Sequence, residues 1–168
     1  MSLPTVLLII FEYGHILSAM GWLGGGILTA FVLGPNVAKL PPPASLAFNA
    51  KVLPKVVRFV QMMAGSTLLF GVLLLYGLTG GDAAYFATTP GITLSAGISL
   101  ALVAAVIAVG VTIPAFNKIS AIANKLLEGG QQAPPPELKR YATRARLGSL
   151  VALALLLIVL VAMVAAGY

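Results

Sequence analysis

The sequence predicts an all-α integral membrane protein, a single transmembrane domain over residues 1–168 folded as a four-helix up-down bundle. Three observations predict it. Of the 168 residues, 60% are hydrophobic and only 8% are charged, where an average soluble domain carries about 25% charged residues. Four apolar runs, Thr5 to Leu33, Val56 to Leu78, Ile92 to Ile113 and Leu147 to Ala166, each approach or exceed the roughly 20 residues that span the hydrocarbon core of a bilayer. The segments between them are short, which leaves little chain for a second domain and makes successive helices antiparallel neighbours.

Each element can be justified in order. No Lys or Arg precedes the first run, and it is about twice the length of a signal-peptide core, so it is expected to remain in the mature protein. Gly34-Pro35 ends it, and Pro41-Pro42-Pro43 predicts a stiff spacer rather than continuous helix. The second run holds Gln61, Ser66 and Thr67 with Gly65 and Gly71, small and polar residues that read as interhelical contact. A turn over Gly80 to Pro90 leads into the third run, where Ser95 and Ser99 read the same way. After Pro114 the stretch 116–127 places Phe116, Ile119, Ile122, Ala123, Leu126 and Leu127 at helical spacing. It is expected to lie along the headgroups as an amphipathic extension. Gly129-Gly130 and Pro134-Pro135-Pro136 then interrupt the chain before the fourth helix. No convincing internal repeat is legible, although the two basic loops give the hairpins a faint similarity.

Charge placement predicts orientation. All ten basic residues fall on one side: Lys39, Lys51, Lys55 and Arg58 around the first connection, and Lys118, Lys125, Lys139, Arg140, Arg144 and Arg146 around the third. The other side carries Asp82 as its one side-chain charge. The positive-inside rule then puts both termini outside, in a multi-pass protein expected in the plasma membrane of a prokaryote. The partners implied are the lipid bilayer and its anionic headgroups, with a homo-oligomer or a larger membrane complex beyond that. Nucleic acid is not expected, because these cations flank spans and lack interleaved aromatics. Cysteine is absent, which excludes disulfides, thiolate metal sites and Fe–S clusters.

The polar residues of the spans concentrate in the first helix. Glu12 and His15 are three apart and Trp22 lies seven beyond His15, which places them on one stripe. An ionised side chain at the bilayer centre costs about 2.5–3.5 kcal/mol on insertion scales, so such residues normally face protein or a cavity. One reading is structural, with Glu12 and His15 bonded to each other or to Tyr13 at the interface. The others make them a ligand pair or a proton relay. His15 is the sole histidine, too few for a zinc site with three or four protein ligands. Haem iron needs only one strong axial ligand from the protein. A second ligand would be Met163, which matches His15 in depth, or His15 of a second copy. Met62 and Met63 fall in the inner half and read as core filler.

Gly21, Gly24, Gly25 and Gly26 follow in the same helix, each weakening it by about 1 kcal/mol relative to Ala. Such a cluster implies close approach of another body. Gly14, Ser18, Gly21 and Gly25 form a small-residue stripe whose reading is either helix packing or a bed for a flat cofactor. Ser99 lies at about the depth of His15.

The string from His15 through Trp22 to Gly24-Gly25, with the apolar run to Pro35, resembles the first helix of membrane proteins related to the copper-resistance protein D (CopD) family and of the similar HemJ-type protoporphyrinogen oxidases. Arg58-Phe59 entering the second helix and Thr79-Gly80 closing it are similar to that pattern too. The resemblance covers about half the chain. It implies copper handling or haem-dependent oxidation, with the helix 1 histidine, here His15, as ligand.

The expected function is therefore a haem-binding redox protein, of the electron-transfer or oxidoreductase type, with haem b as cofactor and copper as the alternative. His15 and Met163 are the candidate metal ligands, and Glu12, Trp22, Gly21, Gly25 and Ser99 are the candidate cofactor contacts. No catalytic residue is assigned. A copper-handling protein, a structural subunit of a respiratory complex and a proton or ion conductor using Glu12 and His15 are the alternatives.

Overall fold

The computed structural model describes residues 4–130 and 135–165. The end of the fourth run at Ala166, and Pro134 of the proline triplet, lie outside them. The described residues form five helical elements and a short 3-10 turn, with no strand among them. They are α1 (Thr5–Val37), α2 (Pro42–Lys51), α3 (Leu53–Thr79), α4 (Thr89–Glu128) and α5 (Pro136–Ala165). Four helices are long and apolar enough to cross a membrane: α1, α2 with α3, α4 and α5.

The proline-rich spacer folds differently from expectation. Pro42 and Pro43 form the first turn of α2, where backbone N–H groups have no intrahelical acceptor and a proline loses nothing. Pro54, just inside α3, cannot donate to the preceding turn, and the helix is interrupted at Val52. Gly80 then ends α3 at φ 62°, the left-handed cap that glycine adopts without strain. A 3-10 turn over Ala83–Ala87 follows, and the Thr88 hydroxyl caps α4 by accepting the Gly91 N–H at 3.2 Å.

The stretch after Pro114 also departs from expectation. It continues the third spanning helix, so that α4 has 40 residues and a length of about 60 Å, twice the roughly 30 Å hydrocarbon core. Its apolar face meets protein rather than headgroups. Ala123 and Leu126 pack with Leu46 and Ala50 of α2, and Ala115 and Ile119 pack with Leu53 and Val57 of α3 and Ala145 of α5. The fourth helix likewise starts at Pro136, well before Leu147.

Two tight antiparallel hairpins result, α1 against α3 and α4 against α5, joined mainly at the end that carries the basic residues. The third buried cluster sits further along, where Trp22 meets Ala104, Ala152 and Leu156. None of the three clusters contains a residue of α1 before Trp22.

The hairpins share a device that the sequence reading missed. Each entering helix contains one π stretch, Leu28–Leu33 in α1 and Ala108–Thr112 in α4. Gly34 N–H donates to Thr29 O, and Ile113 N–H to Ala108 O, each immediately before a proline, Pro35 or Pro114. A proline ring clashes with the carbonyl four residues back, and the widened turn relieves that clash. Both stretches thus sit in the same position relative to their prolines, Pro35 and Pro114.

Candidate functional site

His15 projects from the third turn of α1 towards α3. Its Nδ1 lies 2.9 Å from the backbone oxygen of Thr67, and a carbonyl only accepts, so Nδ1 carries the proton and donates it. That bond fixes the tautomer and leaves the lone pair on Nε2. The Thr67 carbonyl is accessible to a side chain of α1 because Gly71 stands one turn further along α3. A Cβ at 71 would come within 3.0 Å of His15 Cε1 and 3.1 Å of Nδ1. The buried Thr67 hydroxyl donates to Met63 O and the Ser18 hydroxyl to Gly14 O, at 2.8 and 2.6 Å. Both buried hydroxyls are satisfied within their own helices.

Glu12 is placed differently from expectation. It is exposed and makes no hydrogen bond or ion pair among the described residues, and the His15 proton that it was expected to accept goes to Thr67 O instead. The physical reason is angular. Three residues at about 100° each leave Glu12 some 60° round the helix from His15, on the side away from α3.

The glycine stripe packs against α3. The space that Cβ atoms would fill at Gly14, Gly21 and Gly25 is taken by Phe70, Met63 and Val60, at 2.8, 2.6 and 2.8 Å. Gly21 and Gly25 are thus in close contact with α3, and Gly26 admits Leu153 of α5 in the same manner. The atoms facing Gly21 are Sδ, Cγ and Cβ of Met63, so even an alanine there requires that side chain to shift. Gly21→Leu is expected to overpack the α1–α3 seam and to cost about 1–3 kcal/mol, read as a lowered unfolding temperature in detergent. Unchanged stability would place the stripe elsewhere than on α3.

The remaining predicted contacts are dispersed. Met163 packs against Gly97 of α4, at 3.5 Å from the Cβ position there, whereas the close neighbours of His15 belong to α3. Ser99 is exposed and donates its hydroxyl to Ser95 O. Trp22 is buried at 6% exposure in the cluster between the hairpins. No group of three or more His, Asp and Glu side chains comes together among the described residues.

A cavity of about 340 Å³ lies between the two hairpins, walled by Trp22, Val60, Leu68 and Ala105 and reached by polar Thr29, Gln61, Thr112 and Ser149. Both π stretches contribute to it, Thr29 from one and Ala108, Val109 and Thr112 from the other. The Thr112 hydroxyl is buried with no partner among the described residues, tucked against Gly148, whose Cβ position is 2.5 Å from it. The prolines at 35 and 114 are the sequence signal that could have located this cavity. The carbonyl of Thr67 left no such signal.

The chain matches no protein-family model, no curated protein and no solved structure.

Proposed function

We propose that this protein is a membrane-embedded, haem-binding redox protein of the CopD and HemJ-like kind, in which His15 holds the iron through Nε2. The observation that carries the reading is the 2.9 Å bond from His15 Nδ1 to Thr67 O. A metal-ligating histidine almost always donates its other ring N–H to a carbonyl or carboxylate, which orients the ring and raises its basicity. The residues fit a haem on that count, and also on inventory, since one strong axial ligand suffices. The filled glycine stripe sets a condition: the macrocycle would lie on the Nε2 side of the ring, not between α1 and α3. Bound there, haem b would supply one-electron chemistry, while His15, Thr67 and Gly71 would fix its position. Copper remains the alternative metal at the same nitrogen. The deciding measurement is the visible spectrum of protein expressed with haem supplied and purified in mild detergent. A Soret band at one haem per one or two chains is expected, and its absence would overturn the proposal.

A second observation favours an assembly. Glu12 is exposed on a single chain within an apolar helix, and intramembrane carboxylates are normally covered by protein or water. A second copy or another subunit of a membrane complex would cover it, and a second copy would also bring a second His15 that would help hold the same group.

Both termini are assigned to the outside of a prokaryotic plasma membrane, because all ten Lys and Arg residues flank the two connections at one end. Reporter fusions to the C-terminus should be active only outside the cytoplasm, and cytoplasmic activity would reverse the assignment.

A further inference from the structure

At the basic end, α4 and α5 border a shallow, open and largely apolar groove of about 650 Å³. Arg140 and Arg144 stand at its mouth, and Ile107, Val111, Leu147 and Val151 line it further in. The two arginines are four residues apart and so project from one face of α5. Both are exposed and neither has an ion-pair or hydrogen-bond partner among the described residues, Glu137 included. The Thr143 hydroxyl between them donates to Lys139 O, so the guanidinium groups are the donors left for a ligand. From Arg140 to Val151 the rise is about 16 Å, close to half of the roughly 30 Å hydrocarbon core. The groove is thus cationic at headgroup depth and apolar through one leaflet. Val111 belongs to the π stretch of α4, a kind of interruption that recurs at functional sites.

We infer that this groove binds one anionic phospholipid from the leaflet on the basic side, its phosphate held by Arg140 and Arg144 and one acyl chain laid along Ile107, Val111, Leu147 and Val151. The planar guanidinium matches a phosphate geometrically, and two of them one helical turn apart beside one groove bind a single headgroup better than scattered lysines would. The lipid is amphipathic in the same order as the wall it covers, whereas a soluble phosphate would leave the apolar part unfilled.

Native mass spectrometry of the whole protein, titrated with phosphatidylglycerol or phosphatidylcholine, tests the inference. One phosphatidylglycerol should bind more tightly than the rest, and phosphatidylcholine should not replace it. Each basic residue near an anionic surface contributes roughly a fivefold factor, so Arg140→Ala with Arg144→Ala should weaken that lipid about thirtyfold. The double glutamine variant, which keeps long side chains and helix propensity, should lose as much, so a folding failure of the alanine variant leaves the test intact. Val111→Trp fills the groove and should also lose the lipid with both arginines present. Lys118→Ala with Lys125→Ala removes the same charge from the same end and should change the affinity less than threefold. The inference is overturned if the arginine variants retain the lipid, if the lysine variant loses it equally, which would mean diffuse charge attraction, or if glycerol 3-phosphate competes at equal concentration, which would mean a soluble-phosphate site.

Discussion

His15→Ala is expected to abolish stoichiometric haem, with the Soret band falling to the background of non-specifically adsorbed pigment. The sole imidazole of the chain is the one strong axial ligand that a single copy offers, and removing it leaves Met163, whose neighbours lie on α4, as the other candidate. Loss of pigment alone could follow from a general loss of structure, so a second variant separates the two. Gly71→Val leaves His15 in place but puts branched carbons where a Cβ alone would already crowd the imidazole at 3.0 Å. It should turn the ring off the Thr67 carbonyl and weaken haem about 10–100-fold, the usual consequence of losing the partner of a ligating histidine. Glu12→Gln should keep its haem, because Glu12 makes no hydrogen bond to His15. A wild-type spectrum for His15→Ala would overturn the ligand assignment. Full haem in Gly71→Val would show that the Thr67 bond does not position the ligand.

The spans and the site were legible to different extents, for different physical reasons. Four membrane-crossing helices followed from hydropathy, since a bilayer demands long apolar runs irrespective of packing detail. Helix ends did not follow, because proline acts in opposite ways by position: Pro42 and Pro43 start α2, whereas Pro54 interrupts the helix ahead of it. Nor did the π stretches, which arise from proline clashes within a helix that hydropathy treats as uniform. At the site, His15 stood out as a lone imidazole in an apolar run. Its partner is a backbone carbonyl, which every residue possesses and no sequence motif marks; only the α1–α3 packing, permitted by Gly71, brings Thr67 O within reach. The pairing of Glu12 with His15 was drawn from spacing along α1 alone, and the position of α3 decides it otherwise. For Gly21 and Gly25 the choice between helix packing and a cofactor bed was open in sequence, and in the structure the side chains of Met63 and Val60 occupy the space beside them.

Gly91→Ala is expected to be strongly destabilising for a single methyl addition. At most of the tight glycines the atom in the way belongs to a side chain, such as Phe70 beside Gly14 or Met63 beside Gly21, and can turn aside. At Gly91 the atoms in the way are backbone: Tyr85 O and C, with Phe86 Cα. That carbonyl is itself held by the Thr88 N–H at 3.0 Å and the Thr88 hydroxyl at 2.7 Å. Thr88 in turn caps α4 through the Gly91 N–H. A methyl group at 91 therefore cannot be accommodated without separating the 3-10 turn from the first turn of α4 and breaking its cap. Overpacking typically costs about 1–3 kcal/mol and loss of a cap about 1 kcal/mol, so a loss of roughly 3 kcal/mol is expected from the two together. Thermal unfolding in detergent should register it as a clear fall in midpoint. Gly24→Ala is the matched comparison, since no atom lies within 4 Å of its Cβ position and alanine favours the helix by about 1 kcal/mol over glycine. It should unfold at or above the wild-type temperature. If Gly91→Ala were as stable as Gly24→Ala, the close approach of the 3-10 turn to α4, and with it the placement of the connection between the two hairpins, would be wrong.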